Sequence, residues 1–183
     1  MDGIDYSAEL LALAKRRSTG PSLHYLRADM RKLPARWTGR FEGVVNLFTS
    51  FGFFDNPSDD AHAISEFARV LTPGGILLWH GASRDGVMSR FLSRDWWETA
   101  DGSMVGQERT FDPLSGVLSI ESTLRRKTGR TTRRVHRIRL YTATRLAELC
   151  AGVGLIVEEG FDGFSTRPMT RRSGEMLLVA RKQ

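Results

Sequence analysis

The first residues with evident chemistry lie in the segment Gly3-Ile4-Asp5, which has the composition of a strand end and runs directly into a helical pattern. An acid at the end of a second strand can accept hydrogen bonds from both hydroxyls of a ribose. The same acid could instead cap the helix that follows. We therefore take Ile4 and Asp5 as candidate cofactor contacts and keep the structural alternative open.

A second acid, Asp29, follows the predicted strand from Leu23 to Arg27 and precedes Met30. Ligands of open α/β folds bind at the edge where parallel strands end. There the Asp29 carboxylate could accept from the exocyclic amine of adenine, while the Met30 amide donates to a ring nitrogen. The alternative is a turn aspartate beside a methionine that packs in the core.

Aromatic residues crowd the segment from Asn46 to Phe54, directly after a nearly continuous apolar run. Such a cluster at a strand end could line a pocket for adenine on one side and for a substrate on the other. Single aromatic side chains more often belong to the core, and Phe53 and Phe54 are open to that interpretation. The candidate cofactor contacts from this segment are Asn46, Leu47, Phe48 and Phe51.

Side chains that could face a substrate occur later in the chain. Their positions in the sequence do not identify any one of them as the catalytic base. His80 ends another apolar run, but a histidine held by structural hydrogen bonds is the commoner case. No metal is expected. The substrate candidates are His80, Arg84, Trp96, Trp97, Arg139 and Tyr141.

The elements that would position these residues alternate between strand and helix up to His80. Apolar spacing predicts a helix from Ser7, as its N-cap, to Arg17, and another that starts at Ser58 or Asp59. Near-continuous apolar runs predict buried parallel strands between these helices. The order indicates an α/β sheet with right-handed crossovers.

After Gly81 the pattern changes to a short helix and three antiparallel strands, the last two at residues 117–126 and 131–141. Placing the apolar side chains of this pair on one face requires Ile120 opposite Ile138. A loop of three residues, Thr128-Gly129-Arg130, would satisfy that register, with its glycine or arginine at positive φ.

The register also sets Glu121 opposite Arg137 as a cross-strand ion pair. A last helix is predicted to begin at Thr142, before strands that close the sheet. We expect a single domain of residues 1–183. Its parts are a cofactor-side α/β portion at 1–80, an antiparallel β lid with a basic hairpin at 81–141, and a closing helix and strands at 142–183.

The succession of Gly3-Ile4-Asp5, Asp29-Met30, the aromatic segment and the turn from Leu71 to Gly75 resembles class I S-adenosylmethionine-dependent methyltransferases over nearly the whole chain. More narrowly, four segments resemble a bacterial branch known mostly as methyltransferase domains. They are Ser50-Phe51-Gly52-Phe53-Phe54, Arg94-Asp95-Trp96-Trp97, residues 109–116 and Arg139-Leu140-Tyr141-Thr142.

The resemblance implies a Rossmann-like sheet that binds S-adenosylmethionine. It places the ribose at Asp5, the adenine at Asp29 and Met30, and the methionine and methyl group over residues 46–51. It also implies that the antiparallel strands form a lid over a small-molecule acceptor.

Members of this family begin with a helix and a central first strand that ends in an acidic, glycine-rich loop of the E/D-x-G-x-G type. No such strand or loop precedes Gly3 in this sequence, so the resemblance implies an N-terminally truncated sheet with its first strand absent. Removing a central strand would expose two long apolar edges, which invite pairing with another chain.

Three functions stay open. The first two differ in whether the chain is an active enzyme, and the sequence does not decide between them. The first is methyl transfer to a small molecule, impaired without the loop. The second is a non-catalytic relative that forms a homo-oligomer or exchanges strands. The third is nonspecific nucleic-acid binding by the basic hairpin; because few aromatics are interleaved there, we do not expect nucleic acid as a partner.

Net charge and amino-acid composition limit which classes of protein this chain can belong to. The net charge of +6 is concentrated between Leu124 and Arg139, where eight basic residues occur without an acid. Hydrophobic residues make up 40% of the 183 residues and charged residues 26%, which is typical of a globular domain. No membrane span or signal peptide is recognisable, so we expect a cytoplasmic protein. The single cysteine, Cys150, is expected to be buried.

Overall fold

The computed structural model describes residues 1–18 and 20–183, and Thr19 lies outside the described residues. Helices and strands alternate in the first half of the chain, and strands predominate in the second half. The helices are α1 (Ala8–Arg17), α2 (Pro57–Val70), α3 (Arg84–Ser89) and α4 (Ala143–Ala151). The strands are β1 (Asp2–Asp5), β2 (His24–Arg27), β3 (Phe41–Asn46), β4 (Leu71–Ala82), β5 (Arg94–Glu98), β6 (Met104–Asp112), β7 (Val117–Arg125), β8 (Thr131–Arg139), β9 (Leu155–Asp162) and β10 (Glu175–Lys182).

The strands of residues 1–80, the portion predicted to bind a cofactor, form two separate sheets. β1 pairs with β2 in parallel, and β3 pairs with β4 in parallel within a sheet of order β3-β4-β10-β9. The predicted α/β class is confirmed. Among the described residues, β1 and β3 each have one edge without a partner. The expectation of two long apolar edges is wrong in its detail, because β1 has four residues with an aspartate at each end and β3 has six.

Helix starts follow from capping chemistry. Ser7 caps α1 by accepting from the Leu10 amide at 3.2 Å, and Thr142 caps α4 by accepting from the Arg145 amide at 3.1 Å. Both starts are as predicted. The predicted start of α2 at Ser58 or Asp59 is wrong: its N-cap is Asn56 and Pro57 is its first helical residue. Proline suits that place because its φ is already helical and its missing N–H would have no partner there.

The main core lies between the sheet of order β3-β4-β10-β9 and helices α2 and α4. From α2, Ile64 and Phe67 are buried against Leu77 of β4. Leu146 and Cys150 of α4 join the same cluster, and burial raises the pKa of the Cys150 thiol to about 11. Within residues 1–18 and 20–183, no helix has the length and apolar character that crossing a bilayer requires.

The portion predicted to be a lid, which we call the lid, is an antiparallel sheet of order β5-β6-β7-β8 with its own small core of Leu118, Ile138 and Leu140. Strand β5 was not predicted. It pairs with β6 and carries Trp96 and Trp97 at the edge of the lid, where both side chains are exposed.

The predicted hairpin register is wrong by two residues. Ile138 faces Leu118, and Ile120 faces His136. The cause lies in the turn. Gly129 has the positive φ (82°), as predicted, but the loop is Lys127-Thr128-Gly129 and not Thr128-Gly129-Arg130. Arg126 and Arg130 flank this loop and are joined by a backbone hydrogen bond. A left-handed residue at the end of such a loop matches a turn followed by a bulge. Glu121 accordingly pairs with Arg133, at 3.4 Å, and not with Arg137.

Candidate functional site

The predicted cofactor contacts lie at or after the ends of the parallel strands β1, β2 and β3. Asp5 ends β1, and one of its carboxylate oxygens accepts from the Ser7 amide at 2.7 Å. The alternative in which Asp5 caps α1 is wrong, because Ser7 is the N-cap and Asp5 only accepts from the amide of that residue. The second oxygen of Asp5 has no hydrogen-bond partner among the described residues. Ribose binding by Asp5 stays a prediction, as does the contribution of its neighbour Ile4, which packs on the edge of the main core.

Asp29 is held by its neighbour Arg31. The guanidinium of Arg31 donates to both carboxylate oxygens of Asp29, at 2.6–3.1 Å, and to Asp59 at 2.8 Å. It also lies over the ring of Phe54, 4.5 Å from its centroid. The hydrogen bonds from Arg31 lower the pKa of Asp29. This ion pair was not predicted, and it gives the carboxylate an internal partner beside the proposed adenine position, where Met30 packs against the main core.

We expect the Asp29–Arg31 pair to make the protein slightly less stable in acid. Because the pKa of Asp29 is lowered in the folded state, its contribution is complete above the unfolded value of 3.8 and is lost as the pH falls through the folded value. The pair is partly exposed, so the loss is at most about 1 kcal/mol. Urea unfolding of Arg31→Gln should show a weaker acid dependence, while Lys32→Gln should behave as the wild type. Equal slopes for both variants would contradict this prediction.

Directly after β3 the backbone enters a conformation that side chains disfavour. Phe48 and Thr49 have φ values of 56° and 59°, in the left-handed region, where a β-branched residue is a genuine outlier. Such strain persists only where the surroundings hold it, and it clusters at functional sites. The preceding Asn46 is buried, and its Oδ1 atom has no hydrogen-bond partner among the described residues. Two of the predicted contacts thus have features that packing alone does not explain.

A cavity of about 460 Å³ lies between this segment and the lid. Its floor is formed by Phe48, Thr49, Ser50 and Phe53. The roof comes from one face of the hairpin, since side chains alternate across a strand. The roof residues are Leu118, Ile120, His136, Ile138 and Leu140.

His136 was missed at the level of the sequence. It is the titratable side chain among the described residues that line this cavity, and the other lining side chains are apolar or hydroxyl-bearing. Its signal was available, because His136 has the same parity as Ile138 and Leu140, which were predicted to share the inner face.

His80 is almost fully buried and lies under the strained segment. Its Nδ1 atom accepts from the Phe48 amide at 3.1 Å, and its Nε2 atom lies 3.3 Å from Oε2 of Glu175. The ring of Phe164 stacks on the imidazole at 4.1 Å. The structural interpretation of His80 therefore fits better than direct substrate contact.

Arg139 and Tyr141, two of the substrate candidates, turn inward. Both donate to Oδ2 of the fully buried Asp60, at 2.7 and 2.8 Å. Arg139 also donates to the carbonyl oxygens of Phe54 and Asp55. These bonds tie the last lid strand to the start of α2 and to the segment before it. The two residues are thus placed to hold the lid base.

The remaining substrate candidates do not line the cavity. Trp96 is 71% exposed on β5, and Arg84 reaches the carbonyl of Pro113 and lies over the ring of Phe111. Phe51, a predicted cofactor contact, is 1% exposed and packs edge-on against Trp79. Leu47 is partly buried between Asn46 and the strained pair. Of the aromatic segment, Phe48 and Phe53 line the cavity.

Comparison with known sequences finds a family match for the first part of the chain. Residues 1–75 match the family described as "Methyltransferase domain". A glycine/sarcosine N-methyltransferase of Halorhodospira halochloris is 30% identical over 115 residues, which cover 61% of this chain and 43% of that protein. A dTDP-3-amino-3,4,6-trideoxy-alpha-D-glucopyranose N,N-dimethyltransferase of Streptomyces venezuelae is 28% identical over 148 residues, 79% of this chain and 48% of that protein. The chain thus spans about half the length of these curated relatives.

Comparison with solved structures covers the whole chain. The CcbJ methyltransferase from Streptomyces caelestis matches with a TM-score of 0.87 at 19% identity, over 99% of this chain and 74% of that chain. DesVI of Streptomyces venezuelae matches with a TM-score of 0.65 at 21% identity, over 100% of this chain and 74% of that chain. A likeness at these identities establishes the fold.

Proposed function

We propose that this chain transfers a methyl group to an amine of a small molecule. The premises are its fold, which is that of S-adenosylmethionine-dependent methyltransferases, and the match of residues 1–75 to the methyltransferase-domain family. The cavity between the strand-end segment and the lid carries the proposal. It adjoins the edge at which open α/β folds bind ligands, and at about 460 Å³ its volume is typical of small-molecule sites.

The residues at the strand ends fit the cofactor. The buried Oδ1 of Asn46 lacks a partner, and one oxygen of Asp5 is available to a ribose hydroxyl. Ile4 and Met30 offer apolar contacts beside them. When bound, S-adenosylmethionine supplies the methyl carbon: a nitrogen–carbon bond forms as the carbon–sulfur bond breaks, the sulfur keeps the electron pair, and the nitrogen loses a proton.

The chain's own residues would orient the acceptor and receive that proton. Apolar walls from Leu118, Ile120 and Ile138 favour a neutral amine, because burial disfavours a charged one. A neutral nitrogen is the nucleophile that methyl transfer requires. His136 faces the same cavity, and we assign it the proton that the methylated nitrogen gives up.

An amino group on a nucleotide-linked deoxysugar is the acceptor class to test first. The relatives from Streptomyces venezuelae and Streptomyces fradiae are dTDP-amino-sugar N,N-dimethyltransferases by name. An exposed run of arginines on the hairpin could attract a diphosphate group.

Calorimetric titration and mass spectrometry test the proposal. We expect the 183-residue chain to bind S-adenosylmethionine saturably and to add 14 mass units (CH₂) to a dTDP-3-amino-sugar, in a reaction that His136→Gln slows by about 10²-fold or more. His62→Gln, on the exposed face of α2, is the matched control and should retain the wild-type rate. Absence of both binding and transfer would reject the proposal.

A non-catalytic assembly is the second candidate, and the interrupted sheet favours it. The free edges of β1 and β3 could pair with a strand from another copy. Under this alternative, light scattering would find an oligomer and the same titration would detect no cofactor binding. A monomer that binds S-adenosylmethionine would exclude it.

A further inference from the structure

The hydrogen bonds of His80 indicate its tautomer. A nitrogen that accepts from a backbone N–H must carry a lone pair, so Nδ1 is the acceptor for the Phe48 amide. The other nitrogen, Nε2, faces a carboxylate oxygen of Glu175, and the matching arrangement has the ring hydrogen on Nε2.

The same residue holds both strained positions. Its Nδ1 receives the Phe48 amide at 3.1 Å, and its carbonyl oxygen receives the Thr49 amide at 3.3 Å. Two consecutive non-glycine residues at positive φ are unfavourable unless their surroundings fix them. Without the acceptors of His80, the two amides would have no partner and the chain could relax to an extended conformation.

We infer that His80 is the positioning residue of the ligand cavity: it locks Phe48 and Thr49 in the left-handed conformation, and this presents Phe48, Thr49 and Ser50 as the cavity floor. His80 itself does not line the cavity. The effect on ligand binding rests on the proposed function. The restraint of Phe48 and Thr49 by His80 is a property of the folded chain and does not depend on that function.

The surroundings of the imidazole fit this role. The charged group within ion-pair distance of the ring, among the described residues, is Glu175, which is largely exposed. Phe164 and Phe48 supply the remaining ring contacts. With Glu175 beside Nε2, the Nδ1 atom is left as the acceptor for the Phe48 amide.

Two substitutions separate the lock from simple packing. His80→Asn keeps an acceptor oxygen close to the Nδ1 position, whereas His80→Leu keeps the bulk of the side chain and removes the acceptor. His62→Asn on α2 is the matched control. Nitrogen NMR of the histidine rings should find the Nε2–H tautomer for His80. The Phe48 amide should be protected from hydrogen exchange in the wild type and in His80→Asn, but not in His80→Leu.

Ligand binding provides the second readout. At one fixed pH, the affinity of His80→Leu for S-adenosylhomocysteine should be about fivefold or more below that of the wild type, whereas His80→Asn should stay close to the wild type. A Nδ1–H tautomer, or equal Phe48 protection in His80→Leu, would overturn the inference. If no variant binds S-adenosylhomocysteine, the proposed function fails while the NMR result still decides the role of His80.

Discussion

Replacing Asp60 with alanine is expected to lower the free energy of unfolding by about 3–5 kcal/mol, because it leaves the Arg139 guanidinium buried without its counter-charge. Asp60 is 0% exposed, and Arg139 is 9% exposed. Burial raises the pKa of Asp60, while the hydrogen bonds from Tyr141 and Arg139 oppose that rise. The substitution would also deprive the Tyr141 hydroxyl of its acceptor.

Urea unfolding of Asp60→Ala measures this loss, with Asp59→Ala as the matched control. Asp59 occupies the adjacent position of α2, but its ion pair with Arg31 is partly exposed, so its removal should cost no more than about 1 kcal/mol. The double variant Asp60→Leu with Arg139→Met should recover much of the stability, since it removes both charges. Equal effects of the two single variants would contradict the role given to Asp60.

Replacing Phe51 with alanine is the second large effect, expected to cost about 3–5 kcal/mol of unfolding free energy. The ring is 1% exposed and contacts Trp79 and Tyr141, with centroids 5.8 and 5.5 Å apart. Its removal leaves a cavity at the junction of β4 and the lid base. The relevant measurement is thermal or urea unfolding of the purified chain.

Phe48→Ala is the control for Phe51→Ala, because both are phenylalanines of one segment but the Phe48 side chain is 75% exposed. Its effect on stability should stay below about 1 kcal/mol, while its effect on ligand affinity should exceed that of any surface variant. If Phe51→Ala left stability unchanged and abolished only ligand binding, Phe51 would be a cofactor contact, as predicted from the sequence, and not a core residue.

Local chemistry made much of the fold predictable. Hydroxyl caps at Ser7 and Thr142, apolar runs in β3 and β4, and alternation along β7 and β8 act within a few residues of sequence. The errors arose where two local signals compete. Pro57 overrides Ser58 and Asp59 as the start of α2, and the single left-handed residue at Gly129 fixed the hairpin register in place of the apolar pairing.

The site was less predictable because its contacts are distant in sequence. Arg139 and Tyr141 were selected for their polar groups, but their partner Asp60 lies about 80 positions earlier. His80 was placed in the correct strand, but β4 continues to Ala82, and the strained backbone that His80 holds leaves no mark in residue types. The same applies to the second partner of Arg31, because Asp59 lies 28 positions later, on α2.

The two-stranded sheet of β1 and β2 has a consequence for the order in which the fold opens. Among the described residues, no backbone hydrogen bond joins residues 1–18 and 20–28 to the rest of the chain. Their links are side-chain contacts, such as the Asp2–Arg40 ion pair at 3.5 Å and the packing of Ile4 and Leu26. This segment can therefore detach without breaking the sheet of order β3-β4-β10-β9. It would then be a local unfolding unit whose free energy of opening is lower than that of global unfolding. Because Asp5 belongs to it, a ligand that bound Asp5 would couple its own affinity to the closing of that unit.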